Sequence, residues 1–214
     1  MVEQTARTKL NRLAERASYD EATIYKILDA MPMCHVAYQY DGKPAIVPTL
    51  QWREDNRVYW HGSTGANSNL HGPKHEVCMN VCIFDGLVLA RSAFFHSANF
   101  RSVTIFGVPD PVSDHEEKEQ KLKNFVESLY PGRWDKLRPV KAKEIRATSI
   151  LSLEISEASA KARSGPPGDE EEDYGVEVWA GVLPIQQSIG AAIPDTRMIA
   201  GVEAPSYLNE RTFD

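Results

Sequence analysis

The sequence predicts a mainly β protein with flanking helices, built around a six-stranded antiparallel β-barrel. Six short runs of β-branched and aromatic residues follow one another from residue 33 to residue 110, with turn-forming residues between them. Such a meander leaves exposed strand edges, and closure into a barrel removes them. With 214 residues, of which 42% are apolar, the chain can bury one full core. We therefore expect a single domain, residues 1–214.

The segment 1–32 is expected to be helical. Ser18 stands three residues before Glu21, which is the spacing of a capping box at a helix start. Pro32 ends the pattern, because proline cannot continue a helix. The apolar residues between these signals have helical spacing and are Ile24, Ile27, Leu28 and Met31.

Residues 33–156 are expected to form the barrel. Asp41-Gly42 is the clearest hairpin turn, because this pair tolerates the positive φ angles of tight primed turns. The stretches REDN, GPKH, FDG and HSANF supply the other divisions between strands. TSILSLEIS, near the end of the segment, reads as a further strand, and KAKEIRA before it reads as a helical turn.

A helix over residues 113–130 is expected as an insertion in the barrel. Ser113 or Asp114 is the predicted N-cap, and acidic residues follow in the first turn, where the helix dipole favours them. The predicted buried stripe consists of Leu122, Phe125, Val126 and Leu129.

The C-terminal segment, residues 157–214, has a different composition. Five consecutive acids, residues 169–173, follow two prolines and two glycines, so this part is expected to cross the surface of the protein. The segment also holds basic residues and a tryptophan, namely Lys161, Arg163 and Trp179. These side chains are expected to dock on a ligand or a partner subunit, with a simple anchored surface loop as the alternative.

Charge and apolar runs restrict the class of partner. The net charge of −6 argues against nucleic acid or an anionic membrane, because neither is attracted to an acidic surface. No apolar run approaches the roughly 20 residues that span a bilayer, and the first residues do not follow the pattern of a signal peptide. A soluble, cytoplasmic protein is expected.

The three cysteines do not suggest a disulfide framework. Cys78 and Cys82 lie on one face of a predicted strand, with His71 and His75 nearby in the sequence. That spacing matches no closed zinc site, so buried thiols and no metal are expected. His35, on another apolar strand, is expected to be a core residue.

The stretch VYWHGSTGANSNLHG, residues 58–72, permits two kinds of chemistry. A serine nucleophile beside His61 is disfavoured, because His61 stands where a hydrolase elbow requires glycine and the strands form an antiparallel meander. The other interpretation is a phosphate site at the end of a strand and the start of a short helix, where amides and hydroxyls can bind an anion. Simple capping of that helix remains an alternative.

Several segments together carry a family resemblance. CHVAYQYDGKPAIVPTLQWREDNRVYWHGSTGANSNL, then DGLVLARSAFFHSANFRSVTIFG, then EASAKARSGPPGDEEEDYGVEVWAGVLP occur in this order. The succession resembles the pyridoxamine 5'-phosphate oxidase-like FMN-binding split-barrel proteins, in the branch of nitroimidazole-resistance-type flavin-binding proteins. The resemblance implies a split β-barrel that binds FMN at the interface of a homodimer.

The resemblance also implies a set of cofactor contacts. The strand along the isoalloxazine ring would be Val47, Pro48, Thr49 and Leu50. The ribityl phosphate would meet His61, Gly62, Ser63, Asn67 and Ser68. Many relatives have an arginine or lysine in this phosphate region, whereas this chain has asparagines. The positive charge would therefore come from elsewhere, and the remaining candidates for the cofactor site are Arg91, Ser92, Arg101, Lys161, Arg163 and Trp179, the last as a cover over the flavin.

The expected activity is that of an FMN-dependent oxidoreductase acting on a small molecule, with NAD(P)H as a candidate electron donor. His96, in a turn between two strands, could donate a proton to the substrate or ligate haem iron. A non-catalytic flavin carrier or sensor and a haem-binding split-barrel protein are the alternative functions. The paired basic residues that would hold a second, substrate phosphate are not evident.

Overall fold

Ten antiparallel β-strands form one sheet in the computed structural model, which describes residue 2, residues 4–71, residue 73 and residues 75–209. Along the sheet the strands have the order β1-β9-β6-β5-β2-β3-β4-β8-β7, and β10 pairs separately with β5. The strands are β1 (Ala17–Ser18), β2 (Met33–Tyr40), β3 (Lys43–Glu54), β4 (Arg57–Ser63), β5 (Val77–Leu89), β6 (Ser97–Gly107), β7 (Asp110–Val112), β8 (Thr148–Glu154), β9 (Glu157–Arg163) and β10 (Gly181–Pro184).

The sheet curls into a barrel that does not close. β3 belongs to both halves, because its first part pairs with β2 and its last four residues pair with β4. β8 and β9 follow each other in the chain but pair with different neighbours, β4 and β6. The expected split barrel is therefore confirmed, with ten strands instead of six, and the sheet continues beyond residue 156 through β9.

Four α-helices flank the sheet in the described part of the chain. They are α1 (Glu21–Ala30), α2 (Asn67–His71), α3 (His115–Leu129) and α4 (Ala142–Ala147). The predicted cap of α1 is wrong: the N-cap is Asp20, whose carboxylate accepts a hydrogen bond of 2.9 Å from the backbone N–H of Thr23. α3 begins after Asp114, as one of the two predicted alternatives, with the same type of cap.

The hairpin between β2 and β3 turns at Asp41-Gly42, as predicted. Both residues have positive φ angles, 49° and 71°, which glycine adopts freely and aspartate tolerates. The predicted turn at FDG is wrong. β5 continues through these three residues, so one long strand is present where two short strands were predicted. The register with β6 shifts at Asp85, which forms a β-bulge. The predicted GPKH turn includes Gly72 and Lys74, which lie outside the described residues.

The main core fills the barrel and is covered by one face of α1. Ile24, Ile27 and Leu28 of α1 are buried against strands from both halves, including Trp60 of β4 and Ile105 of β6. Burial of each such side chain contributes about 1.5–3 kcal/mol to folding, which fixes α1 across the barrel.

A second, smaller core lies under α3. Trp52, Tyr59, Val112 and Ile150 are buried there, and Leu122 and Phe125 of α3 pack on them. Only part of the predicted α3 stripe takes part, and no α3 residue is fully buried, because this helix covers the outside of the barrel.

Two predictions about burial are wrong. His35 is exposed, because the alternation along β2 places Cys34 and Val36 inward and His35 outward. Cys82 is also exposed, and Cys78 is half-buried, although Cys34 is buried. All three cysteines are free thiols. Alternating strands of a barrel have two faces, and sequence alone did not identify which face was inward.

The tail returns to the barrel as β10. It lies against the second half of β5, and Gly86 permits the approach, since a β-carbon there would stand 2.8 Å from the carbonyl oxygen of Leu183. None of the described helices has both the length and the apolar character required to cross a membrane.

Candidate functional site

The two strands that flank the sequence-predicted site separate from each other. β3 and β4 pair from Glu54↔Arg57 to Gln51↔Trp60, and the pairing stops there. Beyond this point residues 43–50 pair with β2 and residues 61–63 pair with β8. A gap therefore opens between Val47–Leu50 and His61–Ser63, and we call it the β3–β4 gap. Backbone groups along a strand edge require hydrogen-bond partners, so the gap can bind the polar edge of a ligand.

His61 lies at the mouth of this gap and is half-buried. Its ring packs edge-on against Phe125, with 4.7 Å between ring centroids, and lies 6.1 Å from the ring of Trp52. Burial lowers the pKa of His61, so the imidazole is held in its neutral form. Its Nδ1 atom is buried and has no hydrogen-bond partner among the described residues.

Asn69 is a second buried polar residue with an unused donor. Only 8% of the residue is exposed, and its Nδ2 atom has no partner among the described residues. The Oδ1 atom accepts a 3.3 Å hydrogen bond from the hydroxyl of Ser68, which orients the amide. Nδ2 lies above Gly62, where an added β-carbon would be 2.8 Å away. An unpaired buried donor costs about 1–3 kcal/mol, and a bound acceptor would recover this.

Asn69 is the site residue that sequence reasoning missed. The segment was recognised for its hydroxyls and amides, and nothing local distinguished Asn69 from Asn67. The structure distinguishes them, because Asn67 is exposed at the start of α2 whereas Asn69 faces β4. The proximity of a glycine on the preceding strand was the only available signal.

Ser63 has a local structural role. Its hydroxyl oxygen accepts a 3.2 Å hydrogen bond from the backbone N–H of Gly65, which stabilises the turn before α2. The hydroxyl proton remains free for an acceptor outside the turn. Ser63, at the end of β4, is exposed, and Ser68, in α2, is half-buried.

The arginines proposed to supply positive charge are already engaged within the chain. Arg91 binds Asp169, with 3.0 Å between the guanidinium and the carboxylate, and lies 4.6 Å from the ring of Tyr174. Arg101, in β6, binds Asp85 through two guanidinium nitrogens. Arg91 follows β5 and does not lie within a strand as the sequence suggested.

Arg163 anchors the start of the tail. Its guanidinium donates to the carbonyl oxygens of Gly165 and Pro166, at 3.3 and 3.0 Å, and to the amide oxygen of Asn99. Burial, followed by the charge of Arg16, lowers the pKa of the Arg163 guanidinium. Asn99 in turn donates to Gly165, so strand β6 and the tail are joined here.

Lys161 lies two residues earlier on β9, opposite Ser102 of β6. Its ammonium group has no ion-pair or hydrogen-bond partner in the described part of the chain. In the sheet, β6, β5 and β2 separate β9 from β3. The hydrogen bonds and ion pairs described above for Arg91, Arg101 and Arg163 are made with Asp169, Asp85, Asn99, Gly165 and Pro166, none of which belongs to β3 or β4.

The remaining sequence candidates lie near the tail. Ser92 Oγ and Arg91 Nε are buried without a partner among the described residues. His96 is exposed, and its Nδ1 atom lies 2.8 Å from the carbonyl oxygen of Ser92. Trp179 is 62% exposed and packs one edge of its indole against Gly181. We call the region of Arg91, Ser92, His96, Arg163 and Asp169 the tail corner.

The family of the chain follows from its sequence and its fold together. Residues 20–162 match the sequence profile of the family described as pyridoxamine 5'-phosphate oxidase. The chain belongs to the pyridoxamine 5'-phosphate oxidase family. The matched residues run from the cap of α1 almost to the end of β9, so they include β2 to β8, most of β9 and the β3–β4 gap, whereas β1 and β10 lie outside them.

Two solved structures extend the comparison to nearly the whole chain. A flavocytochrome from Azotobacter vinelandii is 45% identical, with 97% of each chain covered and a TM-score of 0.93. A FAD- and haem-binding protein from Mycobacterium smegmatis is 31% identical, with 92% of this chain and 97% of that chain covered and a TM-score of 0.87.

A more distant structure shares the fold. This structure is of a protein from Bacteroides thetaiotaomicron, to which a role in 5-nitroimidazole antibiotic resistance has been assigned provisionally. It is 18% identical to this chain, with 68% of this chain and 85% of that chain covered and a TM-score of 0.56. No curated protein sequence matches this pyridoxamine 5'-phosphate oxidase family member significantly. The resemblance drawn from the sequence is thus confirmed at the level of family and fold.

Proposed function

We propose that this chain is a redox protein that binds a flavin and a haem. The observation that carries this proposal is its 45% identity, over 97% of both chains, to a flavocytochrome. The protein described as binding FAD and haem supports it independently, at 31% identity. Haem, which the sequence suggested as an alternative to FMN, here becomes a second cofactor beside the flavin.

The β3–β4 gap fits a flavin. Val47–Leu50 present strand-edge backbone groups of the kind that pair with the polar edge of an isoalloxazine ring. At the other side of the gap, His61 Nδ1 and Asn69 Nδ2 are buried and lack partners among the described residues. Asn69 Nδ2 lies on the Gly62 face of β4 and can donate to an oxygen atom there, so a neutral donor takes the place of the cation that the segment lacks. We assign the ribityl phosphate to this end, with Gly62, Ser63, Asn67 and Ser68.

The tail corner fits the opposite side of a site shared between two copies of the chain. The tail corner has two unpartnered donors, Arg91 Nε and Ser92 Oγ. Within one copy of the chain, these donors lie apart from the β3–β4 gap. In a homodimer, the corner of one copy completes the gap of the other, and the second copy supplies Arg101, Lys161, Arg163 and Trp179. Large apolar side chains are exposed where such a partner would cover them, including Ile46 at 67% and Trp179 at 62%.

Dimerisation and its contribution to the site can be tested together. Light scattering during size-exclusion chromatography should give twice the mass of one chain. Asn69→Leu alters the gap and Asp169→Asn alters the tail corner, so each homodimer carries two defective sites. A mixed dimer should recover one intact flavin site, because one gap and one corner of it are unaltered. A monomer, or a mixture that binds no more flavin than its parents, would contradict the shared site.

Within this proposal the bound flavin supplies hydride chemistry. The chain positions the flavin and the substrate, excludes water from the site and sets the local charge. The amide of Asn69 holds an acceptor oxygen without adding charge beside it. NAD(P)H is the proposed electron donor, and a small nitroaromatic or quinone is the proposed acceptor. A second phosphate-binding cluster is not assigned, since Arg91, Arg101 and Arg163 are each held by partners in their own chain.

The deciding experiment is the absorption spectrum of the purified chain after supply of flavin and haemin. Flavin bands in the blue together with a Soret band are expected. Chromatography of the released flavin distinguishes FMN from FAD. Anaerobic NADPH should bleach the flavin, and a nitroaromatic should restore it. A flavin that is bound but not reduced by any pyridine nucleotide would indicate a carrier, and a chain that takes up neither cofactor would contradict the proposal.

A further inference from the structure

We propose that Gln51 is a positioning residue for Val47–Leu50, which we call the flavin strand. Its side chain ties the end of α1 to the point where β3 leaves β4, and this tie holds the β3–β4 gap open. The inference rests on the proposed function, because it concerns the strand assigned to the isoalloxazine ring. It goes beyond that function by naming a residue outside the assigned contacts that fixes where the strand lies.

Gln51 is the residue at which β3 changes its partner. On one edge of β3, Gln51 stands opposite Trp60, in the last pair that β3 makes with β4. On the other edge its backbone N–H donates to the carbonyl oxygen of Pro32 at 2.7 Å, next to the pair of Leu50 with Met33 of β2. Gln51 is therefore held on both edges, whereas the residues before it pair with β2 alone.

The side chain of Gln51 binds the end of α1. Only 2% of Gln51 is exposed, and its Nε2 atom donates to the carbonyl oxygens of Leu28 and Met31, at 2.6 and 2.9 Å. A helix leaves its last carbonyl groups without partners, and Pro32, four residues after Leu28, has no N–H to offer. The amide of Gln51 supplies the missing donor, so one side chain joins α1, the start of β2 and the end of the β3–β4 pairing.

The amide of Gln51 can face α1 in one orientation only, because a carbonyl oxygen accepts and only the amide nitrogen donates. This orientation leaves Oε1 of Gln51 buried and without a partner among the described residues. Nε1 of Trp60, on the same face of the sheet, is likewise buried and unpartnered within the described part of the chain. An amide turned toward Trp60 would lose both bonds to α1. The native arrangement therefore favours the hold on the helix over satisfaction of these two core atoms.

A second tie between β3 and α1 lies two residues further on. Arg53 donates to both carboxylate oxygens of Asp29, at 2.9 and 2.6 Å, and its guanidinium lies 4.3 Å from the centre of the Tyr25 ring. At Arg53, however, β3 is still paired with β4. Of these two ties, only the one at Gln51 adjoins the flavin strand. Loss of Arg53 should loosen α1 without moving that strand.

The test replaces Gln51 by methionine, which keeps the length of the side chain and removes the donor. The end of α1 borders a cavity of about 280 Å³, lined in part by Leu28 and Pro32, so water can hydrate the freed carbonyl oxygens and the variant should fold. Gln51→Met should raise the Kd of the flavin about tenfold, because one or two hydrogen bonds to the ring are worth that factor. At saturation, the blue absorption band should move toward that of free flavin. In the flavin-free chain, hydrogen exchange in the flavin strand should become faster.

Arg53→Met is the matched control, since it also unties α1 from β3. It should leave the flavin Kd, the absorption band and the exchange of the flavin strand at wild-type values, even where it lowers the unfolding midpoint. Gln51→Glu is the second test variant. Its carboxylate has the same size but cannot donate to the carbonyl oxygens of α1, so it should reproduce the effects of Gln51→Met.

Three outcomes would overturn the assignment. Equal effects of Gln51→Met and Arg53→Met would show that the packing of α1 explains both. Unchanged flavin binding and exchange in Gln51→Met would remove the positioning role and leave flavin binding by the wild type intact. If neither Gln51 variant folds, Gln51 is required for folding instead. A wild-type chain that takes up no flavin would refute the flavin half of the proposed function, and exchange in the flavin-free chain would still decide whether Gln51 positions the strand.

Discussion

The Nδ2 atom of Asn69 lies 2.8 Å from the point where a β-carbon on Gly62 would stand. β4 and α2 approach this closely because glycine has no side chain, and the amide of Asn69 occupies the space. Asn69 and the glycine that makes room for its amide are therefore seven positions apart in the chain. This contact requires glycine at position 62. The backbone φ angle of Gly62 does not, because it is not positive and other residues could adopt it.

Gly62→Ala is expected to weaken flavin binding about fivefold, because the new methyl group displaces the Asn69 amide and one hydrogen bond is worth roughly 1 kcal/mol. Fluorescence titration of the chain with flavin measures the effect. Gly65→Ala is the matched control, since its β-carbon would meet its nearest neighbour, Ser63 Oγ, at an ordinary 3.8 Å. Equal affinity in the two variants would show that Asn69 does not contact the flavin.

The double variant Ser63→Ala with Asn67→Ala should lower the affinity for FMN by about 5–30-fold, since two neutral hydrogen bonds contribute roughly 1–2 kcal/mol. Both side chains are exposed, Ser63 at the end of β4 and Asn67 at the start of α2, so folding should be little affected. Riboflavin, which lacks the phosphate, is the control ligand, and its affinity should not change. A parallel loss for both ligands would place the phosphate elsewhere.

Asp169→Asn should release the tail. The side chain of Asp169 is fully buried, and its carboxylate accepts from the backbone N–H and the guanidinium of Arg91. Loss of the charge from this buried pair should destabilise the docked tail by about 2 kcal/mol. Hydrogen exchange of β10 amides should rise, whereas the exposed acid variant Glu171→Gln should leave it unchanged. Protected β10 amides in Asp169→Asn would show that the β5 pairing alone holds the tail.

His61 should make the protein less stable in acid. Its pKa is lowered in the folded state by burial, so the unfolded chain binds a proton first as the pH falls below about 6.5. The free energy of unfolding should therefore decrease from that pH downward, until the folded state is protonated as well. Urea unfolding at several pH values measures this decrease, and it should be smaller in His61→Gln. The same dependence in both proteins would assign the acid sensitivity to other groups.

Trp179→Ala should change the fluorescence of the bound flavin, because an indole in contact with the ring quenches its emission. The side chain is 62% exposed, so the unfolding midpoint should shift little. Trp134→Ala, in the 3-10 helix after α3, is the control and should leave flavin emission at its wild-type level. If both variants emit like the wild type, Trp179 does not cover the flavin.

Several elements could be predicted from the sequence because their signals are local. Asp41-Gly42 determines a hairpin through its own φ angles, and Asp114 caps α3 through a hydrogen bond three residues away. The strand runs could be recognised by their alternation and composition. The family resemblance followed from several such segments in the right order, and it was sufficient for the fold and the family.

Other features depended on contacts between residues far apart in the chain. FDG has the composition of a turn, yet β6 and β10 pair with it on both sides and make it a bulge in one strand. Arg91 and Arg101 looked like free cations, and Asp169 and Asp85 neutralise them. His35 and Cys82 were assigned to the core, because alternation shows that two faces exist but does not show which one the barrel encloses.

The sequence alone therefore determined the split barrel, its helices and the segment that could bind a phosphate, since propensity, capping and turn chemistry act within a few residues. The tertiary structure decided where β3 and β4 separate and which asparagine turns its amide inward. These depend on packing and hydrogen bonds that form only when distant segments meet, and they give the candidate site its geometry.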